Sequence, residues 1–146
     1  MAHTTEMDIV RGNSSGEANK RIDSATENSV SKHYQRGSAE INARIIKIEK
    51  EWDVERVLEM NASTLAFIGI LLGAFVHPAW LFLPGIVLPF LFLHAVQGWC
   101  PPLPILRYFG VRTRKEIDIE KYSLKALRGD FQNVTTPHEA IIAAKR

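Results

Sequence analysis

The chain has 146 residues, of which 46% are apolar and 23% are charged, with a net charge of +2 and one cysteine. This length suits a single domain, and one cysteine excludes both an internal disulfide framework and a multi-cysteine zinc site. The averages conceal an uneven distribution, because residues 61–106 contain no Asp, Glu, Lys or Arg. Ionic side chains normally cover a water-exposed surface, so this gap indicates that the middle of the chain meets an apolar solvent.

The N-terminal residues 1–38 are rich in Ser, Thr, Asn, Gly, Glu and Lys. Such a segment has little apolar surface to offset the entropy lost on ordering. We therefore expect a disordered tail, with a short helix around residues 25–33 as the alternative.

An amphipathic helix is predicted over residues 39–58, because Ile41, Ile45, Ile48 and Trp52 recur at spacings of three and four. Two roles remain open for it. It packs on the rest of the protein or on a second copy, or it lies on a membrane surface with its tryptophan at headgroup level. The mixed charges of its polar face favour protein packing.

A transmembrane hairpin is predicted over residues 57–106, with spans over about 57–76 and 81–99 and the turn at "HPAW". Helices of these lengths reach about 30 and 28 Å, which matches a hydrocarbon core of ~30 Å. Neither span includes an Asp, Lys or Arg, each of which would cost ~3 kcal/mol. A buried hairpin in a soluble protein would need covering helices that the chain does not supply.

The part after the hairpin is polar again. A helix is predicted over residues 113–129, from the capping box "TRKE" to Gly129, followed by a tail over 130–146 with a short helix after Pro137. The predicted fold is therefore all-α: a two-span transmembrane helical hairpin with flanking amphipathic cytoplasmic helices. Two spans place both termini on one side of the membrane, and the basic residues beside the spans indicate the cytoplasm.

An intramembrane polar cluster is predicted near the cytoplasmic end of the spans, where Asn61, His94 and Gln97 come level when the hairpin is folded about residue 78. An ionisable residue inside a span is a functional-site hypothesis by default. Hydrogen bonds that fasten the two helices are the favoured interpretation, and proton relay or ligand binding is the alternative.

Cys100 is the candidate thiol. The negative end of a helix dipole and apolar surroundings both raise a thiol pKa, which opposes nucleophilic activity. Helical geometry also places Cys100 about 120° around the axis and about 9 Å along it from His94. A structural residue at a helix exit is favoured, so no catalytic residue, metal or cofactor is expected and the chain is not predicted to be an enzyme.

Two further features concern partners. Gly69 and Gly73 form a G-x-x-x-G pattern, which predicts close packing on the second span or, as the alternative, a homodimer through these glycines. Four basic side chains suit anionic lipid headgroups: Arg107, Arg112, Arg114 and Lys115. Nucleic acid is not an expected partner, because this basic group is short and the following helix is mixed in sign.

The second span ends in Gly98, and Cys100-Pro101 and then Gly110-x-x-Thr113 follow it. Over residues 53–115 this pattern resembles the YgaP-like transmembrane domain family. The other matching residues are Arg56, Asn61, Gly69 and Gly73. The resemblance implies a hairpin in the bacterial inner membrane that dimerises through its helices.

In the family's namesake the hairpin is fused to a rhodanese sulfurtransferase domain. This chain has neither that domain nor a second cysteine, so sulfurtransferase activity is not carried over. The favoured function is a small non-enzymatic inner-membrane protein whose hairpin anchors helices for a cytoplasmic protein partner. The alternatives are a persulfide carrier or sulfurtransferase accessory that uses Cys100, and a soluble interaction protein with a buried hairpin.

Overall fold

The computed structural model describes residues 8–145, and these form eight α-helices, one short 3₁₀ helix and no strand. This confirms the all-α prediction. The α-helices are α1 Ile9–Gly12, α2 Gly16–Arg36, α3 Ser38–Glu49, α4 Val54–Phe75, α5 Phe82–Gln97, α6 Leu103–Tyr108, α7 Arg114–Arg128 and α8 Pro137–Lys145, and the 3₁₀ helix is Pro78–Leu81.

The described residues divide into two compact units. The hairpin unit contains residues 8–19 and 52–113, and the flanking unit contains residues 20–51 and 114–145. Both units are therefore built from segments that are far apart in the sequence, and the first of the three boundaries between them falls within α2.

Helices α4 and α5 form the hairpin. Asp53 caps the start of α4, where its carboxylate accepts a hydrogen bond of 2.8 Å from the Arg56 backbone N–H. His77 caps the 3₁₀ helix of the turn through a hydrogen bond of 3.1 Å that Nδ1 accepts from the Ala79 backbone N–H. Helix α5 continues through Pro89 and ends at Gly98, whose φ of 72° is left-handed. Glycine adopts this conformation without the strain that a Cβ would bring.

Most of the apolar surface of the hairpin is not covered by other parts of the chain. An 18-residue window of mean hydropathy 1.6 lies within Ser38–Phe75, and one of 2.0 lies within Pro78–Gln97. Because α3 and its linker are rich in charge, the first window falls in α4. Only 22% and 11% of the two windows are buried. The structure thus confirms two helices that are long and apolar enough to cross a membrane.

The end of the hairpin opposite the turn, called the hairpin base below, carries the core of the hairpin unit. Its buried apolar cluster contains Val10, Val54, Leu58, Cys100 and Leu103. Helices α1, α4 and α6 therefore meet around the only cysteine.

The N-terminal segment is not a disordered tail over its described part, because residues 9–12 and 16–36 are helical. Residues 1–7 of the predicted tail lie outside the described residues. Three of the apolar side chains of this segment are placed at contact positions, since Val10, Ala18 and Ile22 are all buried. Composition alone underestimated the order of this segment for that reason.

Polar contacts also hold the N-terminal segment in place. The Asp8 carboxylate caps α1 and accepts a hydrogen bond of 2.6 Å from the Thr113 hydroxyl. The Asn13 side chain donates to the Gln97 backbone carbonyl at 2.8 Å. The contacts with Thr113 and Gln97 cross more than 80 residues of sequence, so no local pattern could reveal them.

The predicted helix 39–58 is divided into two. Helix α3 ends at Glu49, and Asp53 starts α4 as a separate helix. In the flanking unit, α3 and α7 bury a shared core of Ile41, Ile45, Ile48, Ile117 and Leu124. The apolar stripe of α3 therefore packs on protein. The side chain of Trp52 is 42% exposed, and the Arg56 guanidinium lies 4.5 Å from the centre of its ring.

Candidate ligand pocket at the hairpin base

A cavity of about 510 Å³ lies at the hairpin base, between α4, α5 and the segment 100–106. Its wall is mostly aliphatic and aromatic. The polar members of the wall are Asn61, Thr64, His94 and Cys100. This volume is within the range of about 300–1,000 Å³ that is usual for small-molecule sites.

His94 is one of the two ionisable groups in this wall, and Cys100 is the other. It lies in the last turn of α5 and is 7% exposed. Its Nδ1 atom is buried and makes no hydrogen bond with any residue that the structure describes. A buried polar atom without a partner costs about 1–3 kcal/mol. Neighbouring protein atoms enclose this nitrogen, so it is not accessible from the cavity.

Cys100 lies in the same wall but is poorly suited to nucleophilic chemistry. Its side chain is 3% exposed and packs in the cluster with Val10 and Leu103. Burial raises the pKa of the Cys100 thiol, and the Leu103 backbone N–H offsets part of this effect. At neutral pH the thiol is therefore protonated.

The three residues of the predicted polar cluster are placed differently. Asn61 and His94 line the cavity together with Thr64, whose hydroxyl donates to the Met60 carbonyl at 2.7 Å. Gln97 is not part of the wall, and its backbone carbonyl accepts the Asn13 hydrogen bond described above. Over the described residues, no hydrogen bond joins the three side chains, so they do not fasten α4 to α5.

Two of the four basic residues expected at lipid headgroups are buried instead. Arg107 is 1% exposed, and its guanidinium donates to the Val111 carbonyl at 3.1 Å and to the Asn19 side chain at 2.8 Å. Arg112 is 7% exposed. Both guanidinium groups therefore lie inside the hairpin unit and not at the lipid headgroups. A buried guanidinium needs several hydrogen-bond acceptors, which the interior of the unit has to supply. The sequence offers no signal for the role of Asn19.

The other two basic residues belong to the flanking unit. The Arg114 side chain is 52% exposed and forms an ion pair of 3.4 Å with Asp118. Lys115 is partly exposed. Only these two of the four therefore have a side chain at the surface.

Gly69 and Gly73 lie against the second helix of the same chain. A Cβ at Gly69 would lie 2.5 Å from Cδ of Pro84, and one at Gly73 would lie 2.6 Å from Cδ2 of Leu81. The G-x-x-x-G face is therefore occupied within the hairpin, which is the first of the two predicted packing partners.

The flanking unit holds a buried polar network that the sequence did not indicate. Glu120 is fully buried and accepts hydrogen bonds from the Arg44 guanidinium at 2.8 and 3.0 Å and from the Ser29 hydroxyl at 2.5 Å. Lys125 is also fully buried and donates to the Ala144 carbonyl at 2.7 Å. Burial lowers the pKa of Lys125. Arg44 and Ser29 satisfy Glu120, and the Ala144 carbonyl satisfies Lys125, so we interpret both sets of contacts as structural.

A second cavity of about 510 Å³ lies between α2 and α3 in the flanking unit. Its wall includes Ser29, His33 and Arg44. All three are engaged: Nδ1 of His33 lies 2.6 Å from the Ser29 carbonyl, and the other two bind the buried carboxylate of Glu120. The cavity at the hairpin base is therefore the stronger candidate site.

Within residues 8–145, no group of three or more His, Cys, Asp or Glu side chains is arranged to hold a metal ion. Comparison of the chain with known protein families, curated proteins and solved structures gives no match. The YgaP-like resemblance therefore stays a prediction.

Proposed function

We propose that the chain is a small integral membrane protein of anchoring and interaction type, in which α4 and α5 form a two-span anchor. The observation that carries this proposal is the low burial of the two apolar windows, 22% and 11%. Core helices of a soluble protein are mostly buried, and soluble monomers rarely expose apolar patches above a few hundred Å². A bilayer covers such a surface without any further protein.

The orientation follows from charge. The turn at residues 77–80 has no charged residue, whereas four basic residues lie within residues 107–115. The positive-inside rule then places both termini in the cytoplasm. The resemblance to the YgaP-like family supports the bacterial inner membrane as the location.

The flanking unit is the proposed contact for a cytoplasmic protein partner. Three aliphatic side chains on three of its helices are more than half exposed: Ile46, Ile119 and Ile141. Covering exposed apolar side chains with a partner removes them from water, which favours association. A non-enzymatic role agrees with the mutual pairing of the buried polar groups of this unit.

The alternative of a persulfide carrier is less well supported. A sulfur carrier needs a thiolate that a donor protein can reach. Cys100 is 3% exposed, and burial raises its pKa. We therefore favour the anchoring role.

Fractionation of cells that express the chain tests the membrane proposal. We expect the protein to remain in the membrane pellet after extraction with alkaline carbonate and to leave it only with detergent. A peripheral protein of the same cells serves as the control for extraction. Release of the chain by carbonate alone would contradict the two-span anchor.

Labelling with a membrane-impermeant maleimide tests the orientation. In a Cys100→Ser background, Ala79→Cys in the turn should react from outside intact cells. Ser31→Cys in the flanking unit is the matched control and should react only after the membrane is opened. The reverse pattern would contradict cytoplasmic termini.

A further inference from the structure

We propose that residues 99–110, the segment after the second span, lie in the cytoplasmic interface of the membrane and insert an aromatic face among the lipid headgroups. This inference rests on the proposed two-span anchor and adds a third contact with the bilayer. The two spans alone do not account for this face, because it begins beyond the end of α5 at Gln97.

The exposed face of this segment is apolar and aromatic. Ile105, Tyr108 and Phe109 are 59%, 69% and 76% exposed, and Trp99 is exposed as well. Contact of such large apolar side chains with water is unfavourable. Trp and Tyr each combine an aromatic ring with one polar group, and both are enriched where a membrane meets water. The composition of the face therefore suits the headgroup region of a bilayer.

No charged side chain interrupts this face. Arg107 is the one charged residue of the segment. It is buried, and its guanidinium donates to the Val111 carbonyl and the Asn19 side chain inside the hairpin unit. A segment that faces water normally shows the opposite arrangement, with its charge at the surface and its rings inside. The arrangement found here is the one that an apolar or interfacial solvent favours.

The position of α6 brings this face to the cytoplasmic end of the spans. The buried Leu103 of α6 packs in one cluster with Val54 and Leu58 of α4. Val54 is the first residue of α4, and the first predicted span begins three residues after it, at residue 57. The segment is therefore level with the end of the span, at the depth where headgroups lie.

The face is also continuous with the surface that the spans present to lipid. Pro101 and Pro102 of the segment line the same recess as Leu65 of α4 and Ile86 of α5, and all four are exposed. A protein that covered the segment would have to enter the membrane interface to reach it. The membrane that holds the spans meets this face without any further molecule, so lipid is the occupant that we assign.

Electron paramagnetic resonance of a nitroxide label measures this placement in the full chain in phosphatidylcholine vesicles. Each labelled chain carries Cys100→Ser and one new cysteine: Ile105→Cys in the segment, Phe67→Cys in the first span or Ser31→Cys in the flanking unit. All three sites are exposed within the chain, so the label should not disturb a core. Oxygen collides mainly with labels in lipid, and a nickel chelate collides mainly with labels in water. We expect the ratio of oxygen to nickel collisions at residue 105 to lie several-fold above that at residue 31 and below that at residue 67.

A double substitution tests whether the aromatic side chains hold the segment in the interface. Tyr108→Ser with Phe109→Ser should lower the oxygen-to-nickel ratio at residue 105 towards the value at residue 31. Tyr34→Ser with Phe131→Ser is the matched control, because it removes the same two exposed rings from the flanking unit. It should leave the ratio at residue 105 unchanged. An unchanged ratio in the Tyr108 and Phe109 variant would contradict the proposal.

The lipid composition separates insertion of rings from attraction of charge. Because the face carries no charge, addition of anionic phosphatidylglycerol should leave the ratio at residue 105 unchanged. A ratio that rises only with anionic lipid would mean that basic residues hold the segment, and it would overturn the proposal.

The remaining outcomes distinguish this proposal from the anchor on which it rests. High nickel access at residue 105 with high oxygen access at residue 67 would overturn the interfacial segment and leave the anchor standing. High nickel access at residue 67 would overturn the anchor, and the interfacial segment with it. Low access of both reagents to residue 105 would show that a protein, either a partner or a second copy, covers the face instead of lipid.

Discussion

At the scale of single residues, the close approach of α4 and α5 depends on glycine, which has no side chain. Gly69 lies against the ring of Pro84, and this ring cannot move aside as a flexible side chain does. Gly73 instead lies against the end of the flexible Leu81 side chain. Of the two glycines, Gly69 is therefore the more demanding position.

Gly69→Ala should lower the stability of the hairpin. The new Cβ would lie 2.5 Å from Cδ of Pro84, so the helices must separate. Overpacking of this kind costs about 1–3 kcal/mol. Gly85→Ala is the matched control, because its Cβ would meet nothing within 4 Å. Thermal unfolding in detergent should show a lower midpoint for Gly69→Ala alone, and equal midpoints would refute this account of the packing.

Cys100 should be a slow thiol. Because burial raises its pKa, alkylation at pH 7 should be slower than that of the exposed Ser31→Cys site in a Cys100→Ser background. The folded thiol keeps its proton where the unfolded thiol ionises, so relative to Cys100→Ser the stability should fall as pH rises above ~8.5. Alkylation rates and unfolding midpoints across this pH range check both statements. A Cys100 rate equal to that of Ser31→Cys would contradict the buried placement.

At the scale of elements, α7 is fixed by one apolar and one polar set of contacts. Its buried Ile117 and Leu124 pack on α3, while the carboxylate of Glu120 binds Arg44 of α3 and Ser29 of α2. A buried charge is tolerated only when it is paired and hydrogen-bonded. The contact of α7 with α2 and α3 is therefore specific in position as well as hydrophobic.

Arg44→Ala should destabilise the flanking unit by about 3 kcal/mol, because it leaves the fully buried Glu120 without its guanidinium partner. Lys121→Ala is the matched control. It removes the 2.7 Å ion pair with Glu49, whose side chain is 45% exposed, and should cost about 0–1 kcal/mol. Denaturant unfolding of the full chain, followed by helical circular dichroism, measures both. Equal losses would show that the buried pair is not a major contribution.

At the scale of the whole molecule, each unit is assembled from separate stretches of the chain. The hairpin unit recruits residues 8–19, which place Val10 beside Cys100 and Ile9 beside Gly98. A Cβ at Gly98 would lie 2.8 Å from the Ile9 backbone carbonyl carbon. The N-terminal segment is therefore part of the wall that encloses the hairpin base.

Removal of residues 1–14 should open this wall. We expect Cys100 alkylation to become at least about tenfold faster. Contacts worth about 1.4 kcal/mol to the closed state correspond to a tenfold change in the population of the open state, from which Cys100 reacts. Deletion of residues 137–146 is the control, since α8 belongs to the flanking unit and should leave the rate unchanged. An unchanged rate in the N-terminal deletion would show that α1 does not cover the cysteine.

Part of the cavity wall could be predicted from the sequence. His94 was predicted as a site residue because it is an ionisable residue inside an apolar span. The geometry of a hairpin folded about residue 78 then predicted that Asn61 lies near it. The enclosure of the site by the segment 100–106 was not predictable, because it depends on how α6 returns to the base after Pro102. The burial of Arg107 was missed for the same reason, since its partner Asn19 lies 88 residues away.

The sequence by itself determined the all-α class and the two long apolar helices with their turn. These features depend on local hydrophobicity and on helix caps, which act over a few residues. Only the tertiary structure decided that the N-terminal segment is helical over its described part, that residues 39–58 divide at Asp53, and that Cys100 is buried. Each of these depends on contacts between segments distant in the chain, and a local pattern does not encode which distant surface will supply the missing partner.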